Sequence, residues 1–207
     1  RGHRVIVYTR SWEGERIPGA ELRLIRASGL SNHALAQSFE KQAWETIARD
    51  NPDVVMGFNR MRDLDIYFAA DDCFAIENGT RVGWFRRLFS NRYRVYEAME
   101  RSVFAHGSKT RILYLTSRQR EDFIRVYNTE PERLILLSPG IEADRRRPED
   151  EMTVAEIRKS VRSEFSIAQD ELLLLQVCSG FATKGVDRTL KALASLPVTC
   201  QRVRMLV

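Results

Sequence analysis

Short apolar runs rich in β-branched and aromatic residues recur along this chain, and stretches of helical periodicity separate them. Strands are expected at residues 4–9, 21–26, 54–58, 66–70, 111–116, 134–137, 172–177 and 203–207. Several, such as "DVVMGF" and "LLLLQV", are near-continuous apolar runs, as expected for strands covered on both faces of a parallel sheet. Between them, residues 33–49 place Leu35, Phe39, Ala43 and Ile47 on one stripe, and Asn51-Pro52 ends that helix. Ser117 can cap a helix running to Tyr127, with Phe123, Val126 and Tyr127 as its inner face, and Thr153 with Glu156 forms a capping box for a helix to Phe165. Strands alternating with helices give an α/β, doubly wound fold.

One segment breaks the alternation. Residues 138–153, "SPGIEADRRRPEDEMT", combine two prolines, a glycine and mixed charge with no apolar period, so a domain boundary is expected there. The division expected is 1–140, a linker at 141–152, and a second domain from 153 to 207. The chain opens directly into a strand, so no leader segment is expected, and it closes inside another. It is therefore expected to be a fragment cut at both ends, lacking the first strand and glycine turn of its first domain.

Composition removes several classes. Of 207 residues, 43% are apolar and 29% charged, which argues against wholesale disorder. No run of about 18 apolar residues exists to cross a membrane. Cys73, Cys178 and Cys200 are far apart, form no C-x-x-C and show no zinc spacing with the three histidines, so free thiols and no metal site are expected. G-x-S-x-G, H-E-x-x-H, Walker and G-x-G-x-x-G motifs are absent.

Three stretches could carry chemistry. In "VCSGFATKGVDRTL" a strand end leads through Gly180, Lys184 and Gly185 into a helix. Glycines let backbone approach a ligand, a helix N-terminus attracts anions, and the lysine adds a mobile charge; the alternative is an ordinary strand-to-helix turn. Residues 82–104 form, on a helical wheel, an apolar stripe of Phe85, Leu88, Phe89, Tyr96, Met99 and Val103 opposite Arg86, Arg87, Arg94 and Arg101, joined by Glu97. With Trp84 nearby and Arg92 inside the stripe, this is the composition of an interfacial membrane helix; a core crossover helix and a basic nucleic-acid surface are the alternatives. In "AADDCF", Asp71 and Asp72 follow a strand at its carboxyl end. At most one of two adjacent carboxylates faces a given cleft, where it could bind a sugar hydroxyl or act as acid or base; otherwise it is a solvated loop residue.

Taken together, "RVIVYTRSWEGE", "VVMGFNRMRDLDIYFAADDCF", "RYRVYEAMERSVF", "TEPERLILLSPGI" and "LLLLQVCSGFATKGVDRTLKALASLP" closely resemble the bacterial lipopolysaccharide core glucosyltransferases of glycosyltransferase family 4. The resemblance runs the whole length of the chain and implies the two-domain, Rossmann-like GT-B fold. It implies a metal-independent, retaining transferase, peripheral on the cytoplasmic face of the inner membrane. Such an enzyme moves a hexose, typically from UDP-glucose, onto a heptose of the lipopolysaccharide inner core, with donor and acceptor bound between the two domains. A UDP-N-acetylhexosamine donor, or a membrane-binding module inactive in isolation, are the alternatives. Through the resemblance, Lys184 with Gly180 and Gly185 contacts the donor diphosphate, and Asp71 is the carboxylate serving catalysis or holding a sugar. Residues 73–104 match a membrane-interacting segment, with Trp84, Phe85, Arg86, Arg87, Phe89, Arg92 and Arg94 against anionic lipid, and no nucleic acid is expected. The resemblance departs where relatives carry arginine and this chain has Ser179 and Thr183. That leaves the diphosphate to Lys184 alone or with Arg188. Without the glycine turn and the acidic donor-binding motif of its relatives, the isolated chain is expected to be inactive.

Overall fold

A computed structural model describes residues 2–81, 90–197 and 202–207. By its internal contacts the chain divides into two units, Arg1–Pro139 and Gly140–Val207.

In the first unit, β1 (Val5–Thr9) pairs in parallel with β2 (Ala20–Leu24). The connection between them is a loop rather than a helix: residues 10–19 carry no apolar 3.6-residue period, and Gly14 and Gly19, at φ +88° and +81°, supply the left-handed backbone that turns the chain back. Helix α1 (Asn32–Asp50) is capped by Ser31, whose hydroxyl accepts from the Ala34 N–H, and it closes on Asn51 at φ 43°. Ala43 and Ile47 are buried, whereas Leu35 and Phe39 are partly exposed. An ion-pair network joins these elements: Arg23 reaches Glu21 at 2.9 Å and Asp50 at 3.3 Å, and the Tyr8 hydroxyl donates to Asp50 at 2.8 Å. Burial and that carboxylate push the Tyr8 phenol up to about 12.

A four-stranded parallel sheet follows in the order β3 (Met56–Gly57), β4 (Ile66–Ala69), β5 (Arg111–Tyr114) and β6 (Leu134–Leu136). Covering helices are α2 (Phe74–Arg81), α3 (Asn91–Phe104) and α4 (Ser117–Tyr127). Its core is aromatic: Phe104 and Phe123 stack at 3.9 Å and Tyr67 meets Phe104 edge-on at 5.6 Å, over the fully buried Ala69, Val103 and Ile112. Arg133 closes α3 by donating to the carbonyls of Val103, Phe104 and Ala105, placing a cation at the helix C-terminus.

Three sequence expectations change here. The helical wheel drawn over 82–104 covers one described helix, α3, which begins at Asn91: Ser90 has extended backbone, and its hydroxyl accepts from the Tyr93 N–H. On α4 the cap is Thr116, with Gln119 completing a reciprocal capping box, and Ser117 is the first helical residue. Val126 points outward, and the buried positions of α4 are Gln119, Asp122, Phe123 and Tyr127. In the run "DVVMGF", Val54, Met56 and Phe58, which share one face of the strand, are exposed, so that face is not covered in this unit.

In the second unit, α5 (Glu151–Glu164) begins two residues before the expected box. Asp150 caps it, accepting from the Thr153 N–H at 2.8 Å and the Thr153 hydroxyl at 2.6 Å. Strands β7 (Leu172–Leu175) and β8 (Val203–Leu206) pair in parallel, joined through α6 (Val186–Ala194), a βαβ unit. Within this unit Leu172 and Leu175 are exposed and Leu173 and Leu174 half-buried. Among the described residues no helix is long and apolar enough to cross a membrane.

Candidate active site

In the first unit a cavity of about 620 Å³ opens where the carboxyl ends of β1, β3 and β4 meet, the position at which open parallel sheets bind ligands. Thr9 ends β1, Phe58 follows β3, and Asp71 lies two residues beyond β4; the first two turns of α1 and the residues Tyr96 and Met99 of α3 complete the wall. The lining mixes aromatic rings (Tyr8, Phe39, Phe58, Tyr67, Tyr96) with Arg10, Arg60, Asn32, Asn59 and Asp71. Apolar ring faces beside a few fixed polar groups suit a small, multiply hydroxylated ligand.

Of the two adjacent aspartates, Asp71 lines the cavity and Asp72 does not. The turn that carries them is tied down through backbone. Gln119 of α4 donates its amide to the carbonyls of Ala69 (3.1 Å) and Asp71 (3.3 Å), and Arg60 donates to the Asp72 carbonyl at 2.9 Å. Beneath them lies Glu100, wholly buried on α3. Burial, then the neighbouring Glu100 charge, push the Cys73 thiol up to about 11, so near neutral pH it is a packed thiol rather than a nucleophile. The same two causes drive the Tyr127 phenol far above its ordinary value, which keeps its proton available to Glu100 at 2.5 Å.

In the second unit, Gly180, Lys184 and Gly185 fall in one compact turn between β7 and α6. Both glycines need positive φ, +83° and +74°, which a side chain would strain. Part of the backbone of this turn is bonded within it. The N–H groups of Thr183 and Lys184 go to the Gly180 carbonyl, that of Val186 to Phe181, and those of Arg188 and Thr189 to Gly185. The Lys184 ammonium is exposed and in no ion pair among the described residues. Gln176 fixes its backbone by donating to the Lys184 carbonyl at 3.0 Å.

Arg92 and Arg94 are exposed on α3, and the Arg92 guanidinium lies 5.9 Å from the centre of the Tyr96 ring. Arg92 is thus a surface cation stacked on a ring, not a buried one. Trp84, Phe85, Arg86, Arg87 and Phe89 lie outside the described residues, as does Cys200. Sequence reading missed Arg60, Gln119, Glu100 and the aromatic lining. A signal existed for Arg60, since Asn59-Arg60 follows β3 as Asp71 follows β4, each at the ligand-binding end of a strand.

The fold is α/β and of the GT-B glycosyltransferase type. The crystal structure of WaaG, a glycosyltransferase involved in lipopolysaccharide biosynthesis, matches with a TM-score of 0.84 at 38% identity, over 99% of this chain and 54% of that one. In sequence, the chain is 44% identical over 199 residues, 95% of its length, to the lipopolysaccharide glucosyltransferase WaaG of Escherichia coli (strain K12), and covers 52% of it. The chain spans about half the length of the relatives it matches. No protein-family model matches it.

Proposed function

We propose that this chain is part of a retaining hexosyltransferase that moves a hexose, glucose by analogy with its relative, from a UDP-sugar onto a heptose of the lipopolysaccharide inner core. The observation that carries the reading is the kinship with WaaG, 44% identity along 95% of the chain. The cavity at the strand ends supports it, because its rings and polar groups suit a sugar. In this reading the cavity takes the acceptor, with Asp71 as the carboxylate that holds a hydroxyl or assists proton transfer. Lys184 takes the donor diphosphate. Breaking the anomeric C–O bond leaves negative charge on that diphosphate, and an ammonium beside it stabilises that charge without calling on a metal ion. Ser179 and Thr183 supply no second cation in the turn, so Lys184 carries this role with Arg188 as its nearest helper along α6.

The acceptor is lipid-anchored, and Arg92, Arg94 and Arg101, exposed on more than one side of α3, are the cations that in this reading meet anionic lipid on the cytoplasmic side of the inner membrane. The test is kinetic. In the full-length protein, UDP release from UDP-glucose in the presence of heptose-terminated lipopolysaccharide should fall by ~10²-fold or more on Lys184→Ala with the fold intact. Unchanged turnover in that variant would remove Lys184 from the reaction. Release from a UDP-N-acetylhexosamine instead would reassign the donor.

A further inference from the structure

The wall of the cavity behind Asp71 is organised by Glu100, a carboxylate with no place in the reaction described above. Glu100 lies on α3 with 0% of its surface exposed. A carboxylate stripped of water is expensive unless donors surround it. Glu100 has four. One oxygen accepts from the Phe74 N–H at 2.7 Å and faces the Arg60 guanidinium at 3.4 Å; the other accepts from the Ala75 N–H at 3.0 Å and the Tyr127 hydroxyl at 2.5 Å.

The placement of those donors matters more than their number. Phe74 and Ala75 are the first residues of α2, whose leading N–H groups have no partner within their own helix. Glu100 therefore caps α2 from a different helix, with its charge at the positive end of the α2 dipole. The Arg60 nitrogen that faces Glu100 also donates to the Asp72 carbonyl. Glu100 thus grips the chain immediately after Asp71 twice, through the α2 amides and through Arg60, while Gln119 grips it from the other side.

We infer that Glu100 is a positioning residue for the cavity carboxylate Asp71, acting through the first amides of α2 and through Arg60. A purely stabilising role would not require this arrangement, since well-packed apolar residues replace buried ion pairs at little or no loss. The inference rests on the hexosyltransferase reading for its kinetic consequence, though not for its structural one.

The experiment uses Glu100→Gln in the full-length protein, which keeps the shape and removes the charge and one acceptor. The kcat for transfer from UDP-glucose should fall by on the order of 10²-fold while the KM for the UDP-sugar holds within about twofold. The amides of residues 72–76 should exchange with deuterium at least ~10-fold faster. Thr129→Val is the control for mere loss of stability. It removes a buried hydroxyl that donates to the carbonyls of Phe104 and Phe123 and touches nothing at the cavity. It should lower Tm while leaving both kcat and exchange at 72–76 within about twofold. Should Glu100→Gln fail to fold, Arg60→Lys keeps a cation beside Glu100, loses the guanidinium contact to Asp72, and is expected to move both readouts in the same direction. Glu100→Gln with wild-type kcat, or with unchanged exchange at 72–76, would overturn the inference, as would an equal kcat loss in Thr129→Val. If the wild-type protein shows no UDP-sugar turnover, the proposed function falls and the exchange measurement alone decides the role of Glu100.

Discussion

Glu130 shows how much one side chain can hold in this protein. Its carboxylate accepts from the Gly107 N–H at 2.7 Å, pairs with Arg133 at 2.7 Å and lies 3.1 Å from His106. The Gly107 amide above all, then its own backbone amide and Arg133, hold its carboxyl down at about 2, from an ordinary value of 4.5. Because the folded value lies below the unfolded one, the stabilisation is fully present above pH ~4.5 and is lost as the pH falls from there toward ~2. Tm of the wild type should therefore drop more steeply between pH 5 and 3 than Tm of Glu130→Gln; parallel curves would contradict this. At the same scale, Asp71→Asn preserves shape and removes the charge and basicity assigned to the cavity. Its kcat should fall by ~10²-fold or more with KM for the UDP-sugar little changed, and wild-type kcat would dismiss the residue. The place of Asp71 at the cavity was legible in the sequence because it follows an apolar strand at its carboxyl end, and the turn that holds Lys184 because two glycines flank it before a helix. Glu100 was not. It occurs among arginines and glutamates, and only the tertiary placement of Phe74, Arg60 and Tyr127 around it distinguishes it from Glu97, one turn away on the same helix.

Among the elements, α4 links packing to the site most directly. Gln119 completes the capping box with one end, accepting from the Leu115 and Thr116 N–H groups, and holds the Ala69 and Asp71 carbonyls with the other. Gln119→Ala should destabilise the protein by about 2–4 kcal/mol, the expected cost of leaving buried backbone groups unsatisfied, measured by urea unfolding at unchanged m-value. A loss below ~0.5 kcal/mol would mean water replaces the side chain. Strand positions were legible to within a residue or two, because β-branched runs bounded by polar turns leave little choice. Helix starts were less so. Thr116 or Ser117, and Asp150 or Thr153, are chemically comparable caps in sequence, and the choice falls to whichever residue can adopt the extended backbone of the cap. The break at Ser90 was hidden for a related reason: an apolar stripe can be drawn through residues 82–104 whether or not a cap interrupts it.

At the scale of the whole molecule, two α/β units share the fold of a lipopolysaccharide glucosyltransferase, and each carries part of the chemistry proposed here. The exposed arginines of α3 proposed to meet lipid lead to a physical expectation. The full-length protein should bind vesicles containing anionic lipid, bind neutral ones poorly, and lose affinity as salt rises from ~0.05 to ~0.5 M. Replacing Arg92 and Arg94 together with glutamate should weaken that binding, and binding indifferent to lipid charge and salt would exclude the surface. The fold class could be read from alternation of strand and helix alone, except at the β1–β2 connection, where a loop of 10 residues does the work of a crossover helix. The reaction could not be read from pattern, because neither a lone lysine after glycines nor a lone aspartate after a strand names a substrate.

In the proposed hexosyltransferase, Lys184 meets the donor diphosphate. The most direct measurement is UDP release by the full-length protein, with heptose-terminated lipopolysaccharide as acceptor and UDP-glucose as donor, compared with Lys184→Ala. Acceptor-dependent release that falls ~10²-fold in the variant is the predicted result. No acceptor-dependent release from any UDP-hexose by the wild-type protein would contradict the proposed transfer.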